Sequence, residues 1–66
     1  MKSKLQTSLF ALGIKAKDIR GRYNEMYHGN VGKSIISDAL SGKANSETAQ
    51  RIRSAAQSLV WDAQDI

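Results

Sequence analysis

The chain has 66 residues, no cysteine, no proline and five glycines, and ten Lys/Arg against six Asp/Glu give it a net charge of +4. That length allows one domain, and a chain so short buries only about 60% of the surface its unfolded form exposes, so a small core and self-association are expected. The missing cysteines exclude a disulfide framework and any thiolate metal site, and they fit a reducing compartment, here expected to be cytoplasmic. No apolar run approaches the roughly 20 residues needed to span a bilayer, so no membrane partner is expected.

The charge is unevenly placed. Residues 1–43 hold Lys2, Lys4, Lys15, Lys17, Arg20, Arg22, Lys33 and Lys43 against Asp18, Glu25 and Asp38, a balance of +5, whereas residues 44–66 come to −1. A basic front suits a polyanion, although the same charges could simply solubilise the surface. Strict apolar-polar alternation is absent, and the fold class expected is all-α.

The first helix is expected over 3–12. Ser3 and Gln6 have the spacing of a capping box, Leu5, Leu9 and Leu12 form an apolar stripe that Phe10 widens, and Gly13 stops it. The leading MKSKLQTSLFALGIK lacks the apolar length and small-residue cleavage site of a signal peptide, so residue 1 is taken as the mature start. A second helix over 15–27 turns Ile19, Tyr23, Met26 and Tyr27 inward, and Gly21 within it suggests that another helix crosses closely. His28-Gly29-Asn30 reads as a connector, with Asn30 able to cap the next helix.

The third helix, over 31–41, is the most informative stretch. In VGKSIISDALSGK (Val31–Lys43), Ile35, Ile36, Ala39 and Leu40 gather on one face, while Lys33, Ser34, Ser37, Asp38 and Ser41 fall elsewhere and Gly42 ends the helix. Short hydrogen-bonding side chains behind one lysine bury little area but suit the reading of base edges in a groove. A fourth helix over 46–61 starts at a cap supplied by Asn45 or Ser46 and buries Ala49, Ile52, Ala56, Leu59 and Val60. Trp61 either plugs the core or, with Leu59, Val60 and Ile66, forms a dimer surface.

Catalysis is not expected. General acid-base, nucleophilic and metal chemistry need converging titratable groups, and the chain has one histidine, His28, alone in a turn with at most Glu25 beside it. No cofactor, metal or small-molecule substrate is therefore anticipated. GNVGKS (29–34) lacks the full spacing of a phosphate-binding loop, though a lysine at a helix N-terminus can still meet an anion.

The succession GIKAKDI, VGKSIISDALSGK, NSETAQRIRSAAQSL resembles the helix-turn-helix DNA-binding domains of the phage Cro and lambda-repressor type over about residues 5–60. The segment SGKANSETAQRIRSAA is also similar to the lactose-repressor headpiece, a related helix-turn-helix. The resemblance implies a compact lambda-repressor-like domain of four or five helices that acts as a regulator of transcription, probing double-stranded DNA as a homodimer in a bacterial or phage-infected cell. It puts Lys33, Ser34, Ser37 and Asp38 at base edges and Lys15, Lys17, Arg22, Asn30, Lys43 and Asn45 on phosphates. A repressor is the first expectation. A protein-protein module on the same scaffold, antitoxin-like or polymerase-docking, is the second.

The sequence also departs from that family. Lys15 stands where it prefers a capping Ser or Thr, Arg20 where a small residue belongs, and Gly32 where its motif has serine. Sixteen steps separate Lys15 from Val31, more than a compact unit needs, so RYNEMYHGN (22–30) must lengthen either the second helix or the turn.

Overall fold

A computed structural model describes residues 4–64, and it shows an all-helical domain of α1 (Lys4–Ala11), α2 (Ala16–Tyr27), α3 (Lys33–Ser41) and α4 (Glu47–Gln64). The eighteen-residue α4 is the spine, against which α1, α2 and α3 all pack. α3 also touches α1 and α2. No strand occurs among the described residues.

The core follows from which side chains share the interior. Ile19, Ile36 and Ile52, one each from α2, α3 and α4, are the largest fully buried side chains, and Leu9, Tyr23, Val31 and Val60 surround them. On α4 the remaining buried positions are Ala49, Ala55 and Ala56, all at 0% exposure. Alanine has no side chain beyond Cβ, so its neighbours can come close along that face. Burying each isoleucine is worth about 1.5–3 kcal/mol, and Leu9, Tyr23, Val31 and Val60 add comparable amounts.

Each boundary has a local cause. α1 ends in a Schellman motif: Gly13 is left-handed at φ 71°, its N–H donates to the Phe10 carbonyl, and the Ile14 N–H donates to the Leu9 carbonyl. α2 starts without a side-chain acceptor at Lys15, but the Asp18 carboxylate accepts the Lys15 N–H at 3.0 Å, the reciprocal half of a capping box. At its other end the left-handed residue is His28, with φ 56°, rather than the neighbouring glycine. Gly29 instead lies under Tyr23, where an added Cβ would meet the ring at 3.4 Å.

Several expected details are corrected. α3 begins at Lys33, and its cap is Gly32, not Asn30. Asn30 is occupied in the turn, where its side-chain carbonyl accepts from Asn24 at 3.3 Å, and Asn24 also donates to the Gly29 carbonyl. Val31 is buried beside Ile36 in the same cluster, so the two hold the positions of a hydrophobic staple across the start of α3. RYNEMYHGN therefore does two things: it carries α2 on to Tyr27 and adds a turn, 28–32, before α3.

Phe10 does not widen the α1 stripe. It lies 82% exposed, because on a helix it stands about 100° from Leu9, and Leu12, past the end of α1, is 39% exposed. Met26 likewise faces out at 41%, while Tyr27 is half-buried with its ring centroid 5.1 Å from that of Tyr23. A Cβ on Gly21 would meet nothing within 4 Å, so no helix crosses there. Of the two candidate caps for α4, Ser46 is used, accepting the Ala49 N–H at 3.3 Å. Ser3 and Ile66 lie outside the described residues.

Candidate nucleic-acid interface

α3 divides its residues sharply. Ile36 and Ala39 are buried at 1% and 0%, Ile35 and Leu40 are half-buried, and Lys33, Ser34, Ser37, Asp38 and Ser41 are exposed. Lys33, Ser34, Ser37 and Asp38 line one shallow, open depression on the outer side of the helix. Among the described residues none of these four side chains has a hydrogen bond or ion pair. Ser41 differs, since its hydroxyl donates to the Asp38 carbonyl at 3.2 Å and so helps to close the helix end.

The end of α3 is held from behind. Gly42 is left-handed at φ 86°, and Arg53 of α4 donates from Nη1 to the Ala39 and Ala44 carbonyls, both at 3.1 Å. The guanidinium adds a second donor to the Ala39 carbonyl, which also accepts the Gly42 N–H at 3.4 Å, and opposes the negative end of the helix dipole. Arg53 thus ties the end of α3, set by Gly42, to the start of the Lys43–Asn45 loop. This function was not visible in the sequence, where its carbonyl partners leave no mark.

The expected phosphate contacts fall into different places. Lys15 and Lys17 are exposed at the start of α2, and Lys43 and Asn45 are exposed in the loop after α3. Asn30 is exposed but tied to Asn24. Arg22 is half-buried and engaged: Nη1 donates to the Ser58 hydroxyl and Nη2 to the Asp62 carboxylate, both at 2.6 Å, and Glu25 stands 3.8 Å from Nε. Its guanidinium joins α2 to α4 while remaining partly exposed, so an anion there would compete with Asp62 for it. A cleft over this joint is walled by Ile14, Gly21, Leu59 and Ala63 and by the charged residues Lys17, Asp18, Arg22, Glu25 and Asp62.

The expected dimer residues separate as well. Val60 is 3% exposed and belongs to the core, Leu59 is half-buried, and Trp61 stands 64% exposed, so it does not plug the interior. Arg51 is engaged within α4 and beyond it, pairing with Glu47 at 2.6 Å and lying 5.4 Å from the Tyr27 ring centroid. His28 is exposed, and no group of three His, Cys, Asp or Glu among the described residues could hold a metal ion. No described helix is long and apolar enough to cross a membrane.

Fold and surface together define an all-α four-helix domain in which, among the described residues, the outer face of α3 is polar and without side-chain partners. No known family model, curated protein or solved structure matches the chain.

Proposed function

We propose that this chain is a sequence-specific double-stranded DNA-binding regulator of transcription, a Cro-like repressor of phage or prophage origin, that reads the major groove with α3. The observation that supports this most is the division of α3. Its inner face is locked into the core, while Lys33, Ser34, Ser37 and Asp38 share a depression and have no structural task among the described residues. A helix so fixed can present short donors and acceptors to base edges at little further cost in side-chain ordering. Lys15, Lys17, Lys43 and Asn45 would meet phosphates and set the pose. The role is one of binding, without catalysis, cofactor or small-molecule substrate.

A single module of this size makes few contacts. A twofold homodimer, at least on DNA, would read two half-sites ~34 Å apart and double the interface. Trp61 and Leu59 are the candidate contact residues. Operator occupancy would then exclude polymerase. The test is a salt titration of binding to operator-like and random duplexes: neutralising about five phosphates gives a log-log slope of about −4 to −5. A flat slope refutes the proposal.

The exposure of Phe10 at 82% and Trp61 at 64% favours a second reading, a protein-protein module that docks on polymerase or another regulator. Its complex would survive high salt and be lost in Trp61→Ala or Phe10→Ala, with no mobility shift on DNA.

A further inference from the structure

The outer face of α3 holds one group whose sign is wrong for the partner proposed above. Asp38 is an exposed carboxylate within a surface whose other chemistry is a lysine and two serine hydroxyls, and its side chain has no partner among the described residues. Its backbone is well used: the Asp38 carbonyl accepts from the Ser41 hydroxyl at 3.2 Å and from the Ala44 N–H at 3.1 Å. The side chain contributes nothing to that closure. A carboxylate facing a polyanion is repelled by every phosphate, so with this face docked on DNA it is favourable only opposite a hydrogen-bond donor.

Among major-groove edges two donors exist, the N4 amine of cytosine and the N6 amine of adenine. Adenine places its N7 acceptor beside that amine, which repels the second carboxylate oxygen. Cytosine carries a C–H on that side instead and offers the amine without an opposing lone pair. Lys33 has the complementary preference, since guanine presents O6 and N7 as two acceptors. The two residues are five apart on one helix, about 7.5 Å along its axis and about 140° around it, so they stand at opposite edges of the outer face of α3 and would meet separate base pairs.

We infer that Asp38 is a specificity-determining residue that selects cytosine in each half-site, at a base pair separate from the guanine read by Lys33. This rests on the DNA-binding reading of α3, and it goes beyond it by assigning the base. Position and sign together make the lysine and the aspartate a directional pair, so the half-site has a polarity and cannot be read in reverse.

The experiment is selection from a random duplex pool with the wild-type chain, Asp38→Asn and Asp38→Ala, each checked for helix content by far-UV circular dichroism. The wild type is expected to enrich cytosine at one position per half-site, with replacement of that base costing about 5- to 150-fold in affinity. Asp38→Asn is expected to move the preference to adenine, because a carboxamide can donate to N7 while accepting from N6. Asp38→Ala flattens that position and leaves the guanine. If both variants bind every duplex more tightly and keep the wild-type consensus, the carboxylate merely repels phosphate and the inference is overturned. If the wild type binds no duplex, the DNA-binding reading falls and takes this inference with it.

Discussion

Arg53→Ala tests how the end of α3 is held. The substitution removes two hydrogen bonds of 3.1 Å from one charged nitrogen, leaving the Ala39 and Ala44 carbonyls without that donor. Bonds to charged groups contribute about 1.5–3 kcal/mol when buried, and the cation adds about 0.3–1 kcal/mol at a helix C-terminus. Because Arg53 is half-buried, the lower end applies, and the loss is about 2–3 kcal/mol. A domain of this length has roughly 3–10 kcal/mol in total, so the expected fall in melting temperature is about 10–20 °C.

Urea denaturation followed by circular dichroism measures the change directly. Arg51→Ala is the control: it removes an exposed pair with Glu47 and a contact with the Tyr27 ring, together worth about 0.7–1.5 kcal/mol. Arg53→Lys should fall between, since an ammonium carries the charge but not the reach of the guanidinium. If Arg53→Ala lies within about 0.5 kcal/mol of wild type, water replaces the guanidinium at those carbonyls and the reasoning fails.

Other substitutions probe separate points. Gly21→Ala is expected to stabilise by about 1 kcal/mol, since a Cβ there meets nothing within 4 Å and the helix gains propensity; a destabilised variant would mean that the site is covered. His28→Gly should raise the thermal midpoint by about 2–8 °C, as glycine relieves the left-handed conformation at φ 56° against a looser unfolded chain. Ile36→Ala should cost about 2–5 kcal/mol and leave much of the protein unfolded at room temperature, visible as lost helical signal. On DNA, Lys33→Ala should relax the preferred sequence at a cost of about 1–3 kcal/mol, whereas Lys43→Ala should weaken all sequences alike; identical behaviour would show that their roles are misassigned.

The helices were legible because their signals are local. Gly13 and Gly42 mark their helix ends in the sequence and occupy left-handed backbone in the fold, and the three- and four-residue spacing of Ile36 and Ala39 settles which way α3 faces. Phe10 was misplaced because apolar character alone ignores its angle on the helix. The deeper omissions all concern pairs far apart in the chain. Nothing near Arg22 in sequence announces Ser58 and Asp62, which lie 36 and 40 residues away, and nothing near Arg53 announces the Ala39 carbonyl. Basic side chains read from sequence all look available to an anion. Packing decides which ones are already employed.

The separation of the two faces of α3 also bears on how such a surface could change over generations. Lys33, Ser34, Ser37 and Asp38 are exposed and hold no side-chain partner among the described residues, so replacing any of them should alter stability by no more than about 0.5 kcal/mol. The inner residues Ile36 and Ala39 have no such latitude. Four adjacent positions can therefore be rewritten on a constant frame, and descendants could acquire new targets without first having to refold.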